Sequence, residues 1–249
     1  MKSVVIIPAR YASTRLPKKL LLCETGKPLI QHTYESASQA MLPASVTVAC
    51  DHKEIFDTVK RFGGSVQMTS LDAPSGTDRV AEVAADLDDV DIIVNVQGDE
   101  PEIEGSSIDL AVQMLIDHPD AVMSTLATPL RDRQKLEDTA CVKVVFDAQH
   151  RALYFSRSVI PHPRSGLLEE HLLQSPPLFY QHIGLYAYRR EFLLRLSPLP
   201  QSDLEKMESL EQLRVLHHGY SIVVGTADEA ALGIDTPEDY RRFVERHLP

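Results

Sequence analysis

Residues 4–20 read VVIIPARYASTRLPKKL, and this stretch decides the fold class. Val4–Ile7 is a short apolar run of β-branched residues, which is typical of a strand buried on both faces of a parallel sheet. A loop follows, and then Leu29–Met41, whose apolar residues recur at the spacing of one helix face. A buried strand, a loop and a helix in this order are the repeating unit of α/β proteins.

The same unit recurs along the first half of the chain. Strands are predicted at Val46–Ala49, Val66–Met68 and Ile92–Val96, and helices at Lys53–Phe62 and Asp78–Leu87, the second with a capping signal at Thr77. Strands that alternate with helices favour parallel pairing with helical crossovers. We therefore expect an α/β fold in which helices flank a mostly parallel central sheet.

The pattern changes after residue 120, where proline-bearing loops separate shorter strands. These strands are predicted at Ala121–Thr128, Cys141–Phe146, Ala152–Phe155 and His182–Tyr188. We interpret residues 1–249 as a single domain in which about 125–200 form a strand-rich elaboration. A helix at Asp203–His217, a strand at Ser221–Gly225 and a final helix at Pro237–His247 with Thr236 as N-cap are predicted to complete it.

The composition narrows the classes of function. The 249 residues carry a net charge of −11, which disfavours broad binding to nucleic acid or to an anionic membrane. The run Val4–Ile7 is too short for a signal-peptide core or a membrane span, so we expect a cytoplasmic protein without membrane insertion. Cys23, Cys50 and Cys141 are widely spaced and odd in number, which indicates neither a disulfide framework nor a zinc site.

Positive charge nevertheless gathers in Pro8–Leu20, which we call the basic loop. Arg10, Arg15, Lys18 and Lys19 are four of the 25 Lys and Arg residues of the chain. The loop follows a predicted strand, at the sheet edge where parallel sheets bind ligands. Small residues lie between the cations and let backbone N–H groups approach an anion: Ala9, Ala12, Ser13 and Thr14. Without a Walker or dinucleotide glycine pattern, the loop predicts a phosphate site, and a solvated basic loop is the alternative.

Acidic residues follow the predicted central strand in IIVNVQGDEP, Ile92–Pro101. Asp99 would face the same crevice as the basic loop, and Mg²⁺ is typically held by one or two carboxylates together with substrate phosphates. Asp235, in the later segment GIDTP, could return beside Asp99 as a second ligand, or be only a turn residue. Arg79 in SGTDR adds a cation, although a plain helix start explains that segment equally well.

Seven segments occur in an order that resembles one family. They are IIPARYASTRLP, SGTDR, VNVQGDEP, ALYFSR, HIGLYAYR, LEQLRVL and GIDTPEDY. Together they resemble the 3-deoxy-manno-octulosonate (Kdo) cytidylyltransferases over nearly the whole chain. The resemblance implies a nucleotide-diphospho-sugar transferase fold and transfer of CMP from CTP to Kdo with release of pyrophosphate. It also implies Mg²⁺ as cofactor, a role in lipopolysaccharide biosynthesis and a homodimer.

The resemblance also implies roles for individual residues. The catalytic residues would be Arg10, Lys19, Asp99 and Asp235, with Asp99 and Asp235 as the metal ligands. The nucleotide-binding residues would be Ala9, Arg10, Arg15, Lys19, Ser75, Gly76, Arg79 and Gln97. The sugar-binding residues would be Arg157, His182, Tyr186, Glu211 and Gln212. Without the family, His182 reads equally well as a core histidine and Glu211 as a solvated helix residue.

The chain departs from the family pattern at three places. Lys18 stands where a glycine is usual, Asp72-Ala73-Pro74 replaces a frequent histidine, and His162 follows Ile160-Pro161 in place of tryptophan. Two alternatives to a Kdo enzyme stay open. One is a cytidylyltransferase for another acidic sugar, such as 8-amino-Kdo or a sialic acid. The other is a nucleotide-binding regulator without turnover, against which the pair of predicted metal ligands argues.

Overall fold

The computed structural model describes residues 1–13, 15–165 and 168–248. Thr14 of the basic loop lies outside the described residues, as do residues 166–167 of the predicted elaboration. The chain divides into a first unit, Met1–Val112 with Ala187–Ser197 and Ala231–Pro249, and a second unit, Gln113–Tyr186 with Pro198–Ala230. No helix in the described ranges combines the length and apolar composition that a membrane span needs.

Strands and helices alternate along the chain. The strands are β1 (Ser3–Ala9), β2 (Pro43–Cys50), β3 (Val66–Met68), β4 (Ile92–Asn95), β5 (Met123–Pro129), β6 (Lys143–Phe146), β7 (Ala152–Ser156), β8 (Tyr180–Arg189) and β9 (Ile222–Thr226). The helices are α1 (Leu29–Ala37), α2 (Lys53–Arg61), α3 (Gly76–Ala85), α4 (Gly105–Asp117), α5 (Arg133–Glu137), α6 (Leu168–Leu172), α7 (Arg190–Leu196), α8 (Asp203–Glu208), α9 (Gln212–His217) and α10 (Pro237–His247). A 3-10 helix lies at Lys19–Leu21. The chain passes from one unit to the other within α4 and β8.

The first unit is built around β1. This strand pairs in parallel with β2 on one side and with β4 on the other, and β2 also pairs in parallel with β3. All residues of β1 and β4 are buried, as apolar strands at the centre of a parallel sheet should be. α3 packs against β1, and α7 packs against β4 and α3. These parallel pairings agree with the predicted α/β class.

The second unit combines parallel and antiparallel pairing. β5 and β9 run in parallel, whereas β6 is antiparallel to both β7 and β8. A separate apolar cluster in this unit contains Leu130, Leu136, Leu172 and Phe179, all of them buried. The backbone ties two of its members, since Leu130 N donates to Phe179 O at 2.9 Å. Whether the units act as the single predicted domain stays a prediction.

Some predicted element bounds are wrong. The N-cap of α3 is Ser75 and not Thr77, because Ser75 has an extended backbone and its Oγ accepts from Asp78 N at 3.0 Å. The helix predicted at Asp203–His217 is two helices, because Ser209 adopts a left-handed conformation (φ 53°) that ends α8. α1 ends at Ala37, four residues before the predicted Met41.

Two features of the helices bear on how well the sequence predicts them. The predicted N-cap of α10 is confirmed, since Thr236 and Asp239 form a reciprocal capping box with Pro237 in the first turn. α4 was not predicted, although its sequence carries a helical signal. Ile108, Ala111, Val112 and Leu115 are buried at the spacing of one helix face.

A buried ion pair links α8 to α9 in the second unit. Arg214 Nε and Nη2 donate to the two carboxylate oxygens of Glu205, at 2.8 and 2.5 Å, and both side chains are less than a tenth exposed. Replacing Arg214 with Met would leave the Glu205 carboxylate buried without its charged partner. We expect the free energy of unfolding to fall by about 3–5 kcal/mol in urea denaturation.

The control for this prediction lies on α8, the helix that carries Glu205. Lys206 forms an exposed pair with Asp203 at 3.7 Å, so Lys206→Met should leave the free energy of unfolding nearly unchanged. Equal effects of the two substitutions would show that burial does not set the strength of the Arg214–Glu205 pair.

Candidate active site

A cavity of about 510 Å³ opens in the first unit where β1 and β4 end. Three segments line it: the basic loop after β1, the start of α3, and the residues that follow β4. Seven of the predicted nucleotide, catalytic or metal residues are among the lining side chains: Arg10, Arg15, Lys19, Ser75, Gly76, Gln97 and Asp99. The parallel sheet thus brings together residues that are far apart in the sequence.

Close backbone contacts hold the lining segments in place. A Cβ on Gly98 would lie 3.0 Å from Pro8 O, which is tighter than ordinary contact, so the segment after β4 passes directly beneath the basic loop. Thr33 Oγ1 donates to Gly98 O at 2.9 Å and fixes that passage from α1. At Gly76, an added Cβ would make only ordinary contact, 3.6 Å from Pro8 Cγ.

Lys19 joins the two predicted metal ligands. Its Nζ lies 2.5 Å from Asp99 Oδ2 and 3.2 Å from Asp235 Oδ1, and its side chain is only 11% exposed. Arg15 Nη2 lies 3.0 Å from the same Asp235 oxygen. Ile234 N donates to Asp99 O at 2.9 Å, so the backbone also joins the two acidic segments. The structure therefore brings Asp235 beside Asp99, as the sequence suggested.

Glu100 is a second acidic residue after β4, and it was not among the predicted site residues. Burial, reinforced by the negative charges of Asp99 and Asp235, raises the pKa of Glu100 from 4.5 to about 8. Its Oε2 is buried without a hydrogen-bond partner among the described residues. The signal was its place beside Asp99 after a central strand, but only the fold shows that its side chain turns inward.

The structure places Arg79 behind the wall of the cavity and outside its lining. The side chain is buried, and its guanidinium donates to Asp51 Oδ2 at 3.1 Å, to Ser70 O at 3.0 Å and to Thr69 Oγ1. Asp51 also accepts from Tyr11 N of the basic loop at 2.9 Å. Arg79 thus reaches the loop through Asp51, and its predicted contact with a nucleotide stays a prediction. Asp51 itself was missed, although it directly follows β2.

Lys18 occupies a left-handed backbone conformation (φ 52°). Glycine adopts this conformation without strain, which explains why a glycine is usual at this place in the family that the sequence resembles. The Lys18 side chain is exposed and pairs with Glu54, with 3.2 Å between Nζ and Oε2. Tyr11 OH donates to the other Glu54 oxygen at 2.9 Å, and the Tyr11 ring stacks on His52 at 3.7 Å. These contacts fasten the basic loop to α2 in place of a permissive glycine.

The conformation of Lys18 can be separated from its contacts by two substitutions. Lys18→Gly and Lys18→Ala both remove the pair with Glu54, but only alanine keeps a Cβ in the left-handed region. We expect the glycine variant to melt a few degrees above the alanine variant in calorimetry, and to keep turnover within several-fold of the unchanged protein. Equal melting temperatures would mean that the left-handed backbone costs nothing at this position.

The predicted sugar residues lie in the second unit, and three of them cluster. Tyr186 OH donates to Gln212 Oε1 at 3.4 Å, and the rings of Tyr186 and His182 are 5.5 Å apart. Gln212 is buried, and its Nε2 has no hydrogen-bond partner among the described residues. A buried amide donor without a partner is costly unless a ligand or water accepts its hydrogen bond.

Arg157 and Glu211 are held differently. The Arg157 guanidinium donates to the carbonyl oxygens of Glu208 at 2.7 Å and Thr139 at 3.0 Å, so it supports the backbone around it. Glu211 lies 3.6 Å from Arg214, between carboxylate and guanidinium. Sugar contacts by Arg157 and Glu211 stay predictions.

His182 is neutral at ordinary pH. Burial lowers the pKa of its imidazole from 6.5 to about 3. Thr125 Oγ1 lies 2.9 Å from His182 Nε2 and donates its single proton to a backbone carbonyl, 2.9 Å away at Leu185 or 3.0 Å away at Ile183. The threonine oxygen must therefore accept from Nε2–H, which leaves Nδ1 as a hydrogen-bond acceptor.

The lowered pKa of His182 predicts a dependence of stability on acid. Between pH 6.5 and about 3 the unfolded chain binds a proton at this histidine and the folded chain does not, so stability falls as pH falls. We expect His182→Gln to remove a slope of up to about 1.4 kcal/mol per pH unit from the free energy of unfolding. Replacing the exposed His162 with Gln is the control, and identical acid profiles for both variants would contradict the assignment.

Comparison with known proteins agrees with this geometry. Residues 4–222 match a family model described as Cytidylyltransferase. The chain is 49% identical over 246 residues to the 3-deoxy-manno-octulosonate cytidylyltransferase of Rhodopirellula baltica, covering 99% of this chain and 98% of that one. It is also 49% identical over 249 residues to the enzyme of that name from Syntrophotalea carbinolica, covering 100% and 99%.

A solved structure of CMP:2-keto-3-deoxy-manno-octonic acid synthetase complexed with CTP is 40% identical, with a TM-score of 0.91. The match covers 99% of this chain and 98% of that one, and it confirms the predicted fold class. Fold and cavity together define a nucleotidyltransferase of the cytidylyltransferase type. Within that class, the chain belongs to the 3-deoxy-manno-octulosonate cytidylyltransferase family, which confirms the resemblance noted in the sequence.

Proposed function

We propose that this chain transfers CMP from CTP to Kdo, giving CMP-Kdo and pyrophosphate. The observation that carries the proposal is the cavity at the ends of β1 and β4, where Arg10, Arg15 and Lys19 lie together with Asp99. A similar structure holds CTP, and similar chains carry the name of the Kdo enzyme. On the family resemblance we extend the proposal to a cytoplasmic homodimer that activates Kdo for lipopolysaccharide biosynthesis.

The basic loop provides the positive charge that a triphosphate requires. In the reaction the sugar hydroxyl oxygen attacks the α-phosphorus, the bond to the pyrophosphate oxygen breaks, and the hydroxyl proton passes to water. Negative charge shifts among phosphoryl oxygens during this displacement, so fixed cations that contact them stabilise the transition state. The predicted roles of Arg10, Arg15 and Lys19 are to bind and orient these oxygens within an otherwise acidic protein.

The donor set suits Mg²⁺, which we propose as the cofactor. Asp99 and Asp235 both approach one cation, the Lys19 ammonium, so their oxygens already converge on a single positive charge. Two aspartates leave coordination sites for phosphate oxygens, because Mg²⁺ is typically held by one or two carboxylates together with substrate phosphates. When bound, Mg²⁺ would supply charge that offsets the phosphoryl oxygens and acidifies a coordinated hydroxyl.

The second unit offers polar groups for the acceptor sugar. Gln212 Nε2 is a buried donor without a hydrogen-bond partner among the described residues, and neutral His182 has an acceptor at Nδ1. A sugar acid rich in hydroxyl groups can satisfy both groups at once, because each hydroxyl donates and accepts. We propose that Tyr186, which contacts Gln212, fixes the orientation of that amide toward the sugar.

The proposed reaction is tested by pyrophosphate release from purified protein supplied with CTP, Mg²⁺ and Kdo. We expect release to depend on all three, and Asp99→Asn to lower it by on the order of a hundredfold or more. Asp89→Asn, at an exposed aspartate that pairs with Lys2, should keep the rate of the unchanged protein. Comparable melting temperatures of the two variants would exclude unfolding as the cause.

The same assay decides between the alternatives. Faster release with 8-amino-Kdo or a sialic acid than with Kdo would reassign the acceptor sugar. Tight CTP binding without release from any of these sugars would indicate a regulator. Sustained release by Asp99→Asn would remove Asp99 from the mechanism.

A further inference from the structure

The Asp99–Asp235 pair already has a counter-cation within the chain. Lys19 Nζ contacts both carboxylates, at 2.5 and 3.2 Å. The lysine backbone is fixed by the 3-10 helix, in which Lys19 N donates to Leu16 O at 3.1 Å. The side chain beyond that helix ends in a compact point charge with three donors.

The two aspartates need this charge because their carboxylates lie close together and neither is fully solvated. The side chain of Asp99 is 27% exposed and that of Asp235 is 48% exposed. Two carboxylates close together in a poorly solvated place repel each other unless a cation lies between them. Arg15 contributes as well, at 3.0 Å from Asp235, but its side chain is 65% exposed and its charge is better solvated.

We propose that Lys19 is a displaceable counter-cation, which partly offsets the negative charges of Asp99 and Asp235 until a divalent cation takes its place. The inference rests on the metal site of the proposed function. Both cations are attracted to the same two carboxylates and repel each other, so the ammonium would leave when the metal binds. The displaced ammonium then needs an anion, and Lys19 lines the cavity that the triphosphate would fill.

This arrangement makes metal and nucleotide binding cooperative. Without nucleotide, metal binding would break a partly buried ion pair and leave the ammonium without that partner, which weakens the affinity for the metal. With a triphosphate present, the ammonium has a new partner and that cost is removed. The alternative is a permanent Lys19–Asp99 pair, in which the lysine supports the site and does not compete with the metal.

Mn²⁺ binding to the full-length protein distinguishes these cases, with free Mn²⁺ measured by electron paramagnetic resonance in the absence of nucleotide. We expect Lys19→Met to bind Mn²⁺ about tenfold more tightly than the unchanged protein. Lys18→Met is the matched control, because it removes a neighbouring cation that pairs with Glu54, and it should leave the Mn²⁺ affinity unchanged. Equal or weaker binding by Lys19→Met would overturn the proposal.

A second measurement keeps the inference testable if Lys19→Met is too unstable for the binding experiment. Lys19→Gln keeps a polar side chain, and it should melt below the unchanged protein without metal but recover more than that protein does when Mn²⁺ is added. Addition of a non-hydrolysable CTP analogue should raise the Mn²⁺ affinity of the unchanged protein more than that of Lys19→Gln. An equal increase in Mn²⁺ affinity in the unchanged protein and in Lys19→Gln would contradict the displacement of Lys19.

Failure of this inference is distinguishable from failure of the proposed function. Mn²⁺ binding that Asp99→Asn abolishes but both Lys19 variants leave unchanged would overturn only the displacement. Absence of Mn²⁺ binding in every variant, with and without the CTP analogue, would overturn the metal site and the displacement together. Pyrophosphate release in the turnover assay is an independent readout, so transfer without a metal at these aspartates would still be detected.

Discussion

Parallel pairing of the buried strand β1 with β2 and β4 is the constraint on which the candidate active site depends. It places the ends of three strands at one edge of the sheet, with Ala9 opposite Cys50 and Ile6 opposite Asn95. The basic loop, Asp51 and Asp99 are therefore neighbours, although 80 residues separate Lys19 from Asp99. Strands with polar faces could not form this arrangement, because both faces of β1 are covered.

The candidate active site also depends on how its charged side chains are paired. An acidic protein that binds an anionic substrate must collect cations locally, and those cations need partners while the substrate is absent. The basic loop solves both problems with the same side chains, since Lys19 and Arg15 are paired with the aspartates that the metal would use. The proposed site is thus electrostatically balanced before either substrate or cofactor is bound.

The sequence predicted the fold class and the segments that meet at the cavity, because strand apolarity and motif order are local signals. It did not predict which side chains reach the cavity. Arg79 and Arg157 lie in recognisable motifs, and a charged side chain is usually exposed. Arg79 is nevertheless buried behind Asp51, and the Arg157 guanidinium is bound to backbone carbonyls. Whether a guanidinium faces a ligand or supports a wall depends on contacts between distant segments, which no local pattern records.

The link between Ile234 and Asp99 has a consequence for how the protein is made. The first unit is assembled from three stretches of chain, and Asp235 belongs to the last of them. During synthesis the basic loop and Asp99 leave the ribosome long before the second carboxylate exists. A nascent chain can therefore fold the sheet that carries the basic loop while the proposed metal-binding pair is still half made. In that interval the Lys19 ammonium has one of its two carboxylate partners, Asp99, and the second arrives only with the last stretch of the chain.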